Sequence, residues 1–251
     1  MVDPGHFERH AAIYDDARPP YPRELWAALE SGGYLVPGRR VLELGAGSGQ
    51  ATGPMLAAGL HVTAVEPGRE LAARLHAAHP DATVVVGRAE DLDLDEDAFD
   101  LVVAATSIHW LDLDVVLPKV RDALAPGGAL LVWRNVFGDL SIRTPFRDRV
   151  HEIARARTRP PRPGPDAEDV DVTAAELTRS GLFEIAEVRR FAWDVDMGTE
   201  QIRRLFTTFS DWTPDEVDAA ARAVDDLGGT VTEHYLSWLI ALRPTHAPAT
   251  P

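Results

Sequence analysis

Five short apolar runs, separated by stretches of helical spacing, fill residues 40–133. They are Arg40–Leu44, His61–Glu66, Ala82–Val86, Phe99–Ala105 and Ala129–Trp133. Each is dominated by Val, Leu and Ala without alternation of apolar and polar residues, the pattern of strands covered on both faces. The intervening Gln50–Ala58, Arg69–Ala78 and Asp112–Leu124 carry helix signals. Leu71, Leu75 and Ala78 recur at helical spacing, Gly59 can end the first helix, and Pro126-Gly127-Gly128 stops the third. Strands and helices in alternation predict an α/β fold, a doubly wound, mostly parallel sheet.

The flanking regions are less regular. Met1–Gly33 reads as two short helices separated by Arg18-Pro19-Pro20-Tyr21-Pro22. Thr144–Arg157 reads as an Arg-rich helix, and Arg159–Pro165, with four prolines in seven residues, as a loop. Glu184–Val195 and Tyr235–Leu242 read as late strands forming an antiparallel hairpin at the sheet edge. Between them lie the helices Thr199–Phe209 and Pro214–Leu227. The second of these starts with Thr213 as N-cap, Pro214 at the first helical position, and Asp215 and Glu216 in the first turn. There is no internal repeat. The tail after Arg243 is rich in Pro and Thr and is expected to be disordered.

Charge narrows the function classes. Forty Asp and Glu against 25 Lys and Arg leave a net charge of −15. That balance opposes binding to nucleic acid through its phosphates, so no nucleic-acid partner is expected. The chain has no cysteine, which excludes disulfides, thiolate zinc sites and cysteine nucleophiles. His76 and His79 lie three apart on a helix without a third ligand, so no metal site is expected. Met1–Asp16 has no apolar core of a targeting segment, and the longest apolar runs fall far short of the ~20 residues of a membrane helix. A cytoplasmic protein without a membrane partner is the expectation.

The most informative segment is Val41-Leu42-Glu43-Leu44-Gly45-Ala46-Gly47-Ser48-Gly49-Gln50, which follows a strand and opens a helix. Glycines there let the backbone turn tightly and approach a ligand. Amides at the helix start favour polar or anionic groups. Glu66 stands at the end of the next strand, 21 residues after Gly45. A carboxylate in that place can accept hydrogen bonds from two ribose hydroxyls. Three ligand classes compete for such a loop. A nucleotide-triphosphate loop needs Gly-Lys followed by Ser or Thr, which is absent. A dinucleotide fingerprint needs glycine where this chain has Gln50. S-adenosylmethionine sites use an acid and then G-x-G-x-G, here Glu43, Gly45, Gly47 and Gly49. That ligand carries an ammonium group, which Glu43 could hold directly or through water.

On these residues the chain resembles a class I S-adenosylmethionine-dependent methyltransferase of the small-molecule type. Further segments match the same pattern. Phe7–Tyr14 with Arg18–Pro22 resembles the N-terminal lid, and Gly87–Leu92 the loop that meets adenine. Phe99–Val103 with Ser107–Trp110 resembles the fourth strand and its mouth, and Leu124–Gly128 the turn before the fifth. The likeness is good over about residues 5–135 and looser to Arg243, where it resembles the trans-aconitate methyltransferase-like branch. It implies a single domain with a seven-stranded sheet: a lid over 1–33, a cofactor-binding core over 34–135, substrate-cap helices and edge strands over 136–243, and the tail 244–251.

It also implies site roles. Pro67, Ala89, Glu90 and Thr106 join Glu43, Gly45, Gly47, Gly49 and Glu66 around the cofactor. Tyr14 and Arg18 close over it, with Arg18 pairing its carboxylate, or else they cap the N-terminal helix. His109 is the candidate general base, or a group that packs on Trp110 and orients the acceptor. Trp110, Phe206, Phe209 and Trp212 line the acceptor pocket, or the last three pack a cap on the sheet. The expected reaction is methyl transfer to an O, N or C atom of a small molecule. Two alternatives keep the fold: cyclisation on the same cofactor, and a degenerate methyltransferase that binds without turnover. Neither the acceptor nor the oligomeric state is legible.

Overall fold

The computed structural model describes residues 17–139, 141–157, 166, 168–209 and 211–245. Tyr14 and the rest of the first expected helix, the proline-rich 159–165 and the tail beyond 245 lie outside them. Seven strands form one sheet: β1 Arg40–Leu44, β2 His61–Glu66, β3 Thr83–Val86, β4 Phe99–Ala105, β5 Leu124–Val136, β6 Phe183–Gly198 and β7 Thr230–Pro244. Their order is β3-β2-β1-β4-β5-β7-β6. The described α-helices are α1 Arg23–Ser31, α2 Thr52–Ala57, α3 Arg69–Ala78, α4 Leu113–Ala123, α5 Pro145–Arg155, α6 Val170–Thr178, α7 Thr199–Thr207 and α8 Pro214–Asp226. None is long and apolar enough to cross a membrane.

β1 pairs in parallel with β2 and β4, β2 with β3, and β4 with β5. Only β7 runs the other way, antiparallel to both of its neighbours. Ser237 contacts Asn135 and Arg243 contacts Gly127, so numbers fall on β5 as they rise on β7. Thr232 with Asp196 and His234 with Asp194 give the same sense between β7 and β6. The expected edge hairpin is therefore present. Its strand β7 inserts between β5 and β6, which leaves β6 at the edge.

The apolar runs explain the double cover. Val41, Val62, Ala64, Leu101, Val103, Leu131 and Trp133 share one core with Leu25 and Leu29 of α1, Met55 of α2 and Leu75 of α3. Their sequence neighbours Leu42, Leu44, Val102, Ala104, Leu130 and Val132 point to the opposite face and are equally buried.

Three expectations need correction. β5 begins at Leu124, ahead of Pro126-Gly127-Gly128 rather than after it. Pairing jumps from Phe99↔Leu124 to Leu101↔Ala129, so that turn is an irregularity inside the ladder, with Gly127 at φ 79°. The helix α6 was not expected. Its N-cap Asp169 accepts from the amides of Asp171 and Val172, and its apolar content is Val170, Ala174 and Leu177. Residues 21–33, expected in a lid, place Tyr21, Leu25, Ala28 and Leu29 in the main core.

The chain divides into two compact units. The larger comprises 21–135, 165–191 and 237–251, the smaller 1–20, 136–164 and 192–236. The smaller unit packs α5, α7 and α8 around Phe146, Ile202, Leu205, Phe206, Val217 and Val224. Phe206 meets Phe137 and Trp212 edge-on, at 5.1 and 4.3 Å between ring centres. A buried ion pair crosses this interior: Arg147 Nη2 lies 2.5 Å from Glu233 Oε2. The guanidinium also sits 3.8 Å over the Phe137 ring. It fills space that a Cβ at Gly138 would occupy, which accounts for glycine there. Burial pushes the Glu233 carboxyl up, and Arg147 opposes the shift.

Removing one partner of such a pair strands a charge in an apolar interior. Arg147→Met is expected to lower unfolding free energy by about 3–5 kcal/mol. Replacing Glu233 by Leu in the same protein should regain most of that loss. Denaturant titration of the single and double variants measures both effects.

Candidate functional site

The parallel strands end together along one edge of the larger unit, and the glycine loop begins there. Leu44 closes β1, and the amides of Gly45 and Ala46 both donate to the carbonyl of Val65, at 2.9 and 3.0 Å. The Gly47 amide donates to Glu66 Oε2 at 2.8 Å, and the Gly68 amide donates to Glu66 Oε1 at 2.9 Å. One carboxylate thus fastens the loop after β1 to the loop after β2. Pro67, between Glu66 and Gly68, is exposed.

The three glycines have different reasons to be glycine. A Cβ at Gly45 would stand 2.7 Å from the Ser107 Cβ, and one at Gly49 would stand 2.5 Å from the His79 ring. Gly47 alone of the three faces open space, with no heavy atom within 4 Å of such a Cβ. Gly45 and Gly49 therefore serve packing, and Gly47 is where a ligand has room to approach. His79 packs against the loop, which gives this side chain a structural role. Among the described residues no group of three potential ligands could hold a metal ion.

Glu43 is the most unusual group of the site. It lies in β1 between Ala64 and Val103 and is 1% exposed. Thr52 Oγ1 donates to its Oε2 at 2.6 Å. Its Oε1 is buried without a hydrogen-bond partner. Burial pushes the carboxyl up to about 8; the Thr52 hydrogen bond opposes this and the charge of Glu66 adds to it. An orphaned buried carboxylate oxygen on the strand that leads into the loop of the open Gly47 fits a ligand that carries a cationic donor.

The other expected cofactor residues occupy the same edge. Ala89 is buried in the 3₁₀ turn Ala89–Asp91. Glu90 is held within the protein: its side chain accepts from the Asp112 amide at 3.0 Å and from Arg88, and its carbonyl accepts from Lys119 at 2.6 Å. Partial burial works against its ionised form, and these hydrogen bonds outweigh that and lower its pKa. Thr106 follows β4 with φ 59°.

Arg18, by contrast, belongs to the smaller unit, where it donates to Thr208 Oγ1 at 3.3 Å and lies 5.7 Å over the Phe209 ring. Phe206, Phe209 and Trp212 are members of that unit's aromatic cluster. The structure therefore groups Arg18 with these cap residues and groups Glu43, Glu66, Thr106, His109 and Trp110 in the larger unit.

His109 lies in the turn Ile108–Trp110 after β4, 4.5 Å from the Trp110 ring centre. Sequence reasoning missed its neighbour Arg134 on β5. Arg134 Nη1 is 2.9 Å from Nδ1 and 3.4 Å from Nε2. Such similar distances to both ring nitrogens place the guanidinium against the ring rather than along one lone pair. Glu168 balances Arg134 at 3.7 Å. The only signal for Arg134 in the sequence is a charged residue immediately after a fully apolar strand.

This geometry meets an independent finding. Residues 42–132 match the methyltransferase-domain family. An uncharacterized methyltransferase of Mycobacterium tuberculosis is 42% identical over 132 residues, 51% of this chain and 52% of that protein. The chain spans about half the length of the curated relatives it matches. Among solved structures, an Anaeromyxobacter dehalogenans protein provisionally described as a type II methyltransferase superposes with a TM-score of 0.65. It is 24% identical, over 89% of this chain and 97% of that one. Haemonchus contortus phosphoethanolamine N-methyltransferase 2, solved with S-adenosyl-L-methionine, gives 0.55 at 18% identity, over 96% of this chain and 57% of that one. With the strand order, these likenesses establish the Rossmann-like methyltransferase fold.

The Glu43 environment has a measurable consequence. Its folded value near 8 lies above the ordinary 4.5, so the unfolded chain releases this proton first. Its contribution to stability is fully present below about pH 4.5 and is lost as pH rises toward 8. Glu43→Gln is expected to raise the melting temperature of the ligand-free protein at pH 8 and leave it nearly unchanged at pH 4.5. The gain should be on the order of a few kcal/mol. Thermal melts across that range measure the difference between the two proteins.

Proposed function

We propose that this protein transfers the methyl group of S-adenosylmethionine to a small-molecule acceptor. The observation that carries the reading is the unpartnered, buried Glu43 oxygen on the strand that leads into the Gly47 loop, with Glu66 at the end of the next strand. S-adenosylmethionine, when bound, supplies a methyl group already activated on a sulfonium, so no enzyme nucleophile is required. Glu43 meets the ammonium of the amino-acid end. Glu66, at the end of β2, accepts from the ribose hydroxyls, as a carboxylate in that place can. Pro67, Ala89, Glu90 and Thr106 shape the rest of the cofactor site. The protein's main contribution to rate is to hold donor and acceptor in line while excluding water.

His109 and Trp110 contact the acceptor. The imidazole, held beside Arg134, acts as a hydrogen-bonding group that orients it. Within the trans-aconitate methyltransferase-like branch, the acceptor atom would be a carboxylate oxygen, which has no proton to remove. The acidic chain acts in the cytoplasm, without nucleic acid.

Two experiments test this. S-adenosylhomocysteine should raise the melting temperature by mass action, while NADH and ATP should leave it unchanged. Glu66→Ala should weaken S-adenosylhomocysteine binding by roughly 10- to 100-fold, since hydrogen bonds to a charged acceptor contribute about 1.5–3 kcal/mol each. A shift with NADH and none with S-adenosylhomocysteine would overturn the reading.

The role of His109 is tested with an acceptor in hand. A positioning group predicts that His109→Asn retains most activity and that the rate is flat with pH through 6–8. A general base would instead predict a loss of about 10²- to 10⁴-fold and a rate that falls on the acid side. Steady-state rates of the two proteins across that range decide between them.

A further inference from the structure

Among the described residues, two that are not glycine have a left-handed backbone: Asp97 at φ 56° and Thr106 at φ 59°. Asp tolerates that region, whereas a β-branched residue there is an outlier that its surroundings must enforce. Two contacts hold Thr106. Its amide donates to the Trp133 carbonyl at 2.8 Å, and its Oγ1 lies 2.9 Å from the Tyr21 hydroxyl. The Tyr21 ring is itself fixed. It is buried, with Trp26 and Trp133 edge-on to it at 6.3 and 5.9 Å. A ring held in this way has little freedom in where it presents its hydroxyl. The residue after Thr106 is Ser107, whose Cβ stands in the space facing Gly45. The Ser107 hydroxyl also donates to the Leu44 carbonyl at the start of the glycine loop.

We propose that Tyr21 is a positioning residue: its hydroxyl clamps Thr106 in the left-handed conformation and thereby sets Ser107 against the glycine loop. Tyr21 follows Pro19 and Pro20 and stands 85 residues before Thr106, so the clamp links the end of the N-terminal segment to the loop after β4. Without the hydroxyl, Thr106 relaxes toward an ordinary β-branched conformation. Its amide then turns away from Trp133, and Ser107 no longer braces the backbone at Gly45. The effect on the ligand rests on the cofactor reading above; the clamp itself does not.

The test has one arm for each. In the ligand-free protein, Tyr21→Phe is expected to speed hydrogen exchange at the Thr106 amide by about 10-fold, the scale of one lost hydrogen bond. Thr106→Gly in the Tyr21→Phe protein should recover most of that loss, because glycine adopts a left-handed backbone without steric strain. Thr106→Val removes the same hydrogen bond from the other side and should match Tyr21→Phe, which covers the case in which the latter fails to fold. In the second arm, calorimetry with S-adenosylhomocysteine should show a 5- to 10-fold weaker affinity for Tyr21→Phe, with little change in melting temperature. Unaltered exchange in the hydroxyl-deleting variants, or no recovery with glycine, overturns the clamp. Faster exchange with unaltered affinity overturns its link to the glycine loop. Failure of the wild-type protein to bind S-adenosylhomocysteine overturns the cofactor reading, and the exchange arm still decides the clamp.

Discussion

The Glu66 carboxylate gives the candidate site its shape. By accepting the amides of Gly47 and Gly68, it ties two strand-end loops into one body. Backbone amides in a tight turn have few alternatives to solvent, and a charged acceptor satisfies them more strongly than a neutral one. Without that grip the Gly47 amide would lose its acceptor in the protein, and only the Gly45 and Ala46 amides on the Val65 carbonyl would still hold the loop to β2. The loop conformation, the open space at Gly47 and the position of Glu66 are therefore one structural fact rather than three.

The parallel sheet explains why these groups meet. Strands β1, β2, β4 and β5 point the same way, so their carboxyl ends gather Glu43, Glu66, the Thr106–Trp110 segment and Arg134 along a single edge. Ligands of open α/β sheets bind outside that edge, because the interior is filled by side chains and the loops alone are free to vary. The strand interiors here are Val, Leu and Ala, with Glu43 the exception among the buried residues of β1. An acid in such a place is unfavourable to folding by itself. Its one short hydrogen bond from Thr52 leaves half of the carboxylate unsatisfied, which is the arrangement expected of a group that completes its bonding with a ligand.

What could be read from the sequence depends on the range of the interaction. The strands of the parallel half were legible because burial on both faces leaves an uninterrupted apolar run, and the glycine loop because its motif is contiguous. The α8 cap was legible for the same local reason: Thr213 and Glu216 form a reciprocal capping box within four residues. The start of β5 was not, because Pro126-Gly127-Gly128 is a stop signal locally, while pairing with β4 resumes around it. The contacts Arg134–His109 and Tyr21–Thr106 span 25 and 85 residues and carry no spacing pattern. Only the positive φ of Thr106 marks its importance, and that angle is a property of the fold. Glu66 and Glu43 could be named as acids near a loop, yet their division of labour, one holding the loop and one left open, required coordinates.

That division also bears on which ligand the loop accepts. Glycine loops at helix starts are commonly phosphate cradles, since free amides and the helix dipole favour an anion. Here the amide of Gly47 is already committed to Glu66, so it offers little to a phosphate. Two carboxylates stand at the loop, and the charge of Glu66 contributes to raising the Glu43 pKa. A cation offsets the charge of Glu66 and favours the ionised form of Glu43, whereas another anion opposes it. The helix that follows, Thr52–Ala57, is only six residues long and supplies a weak dipole to offset them. A loop with the outline of a nucleotide site has thus been given the opposite electrostatic sign. It suits a nucleoside whose polar end is an ammonium rather than a string of phosphates.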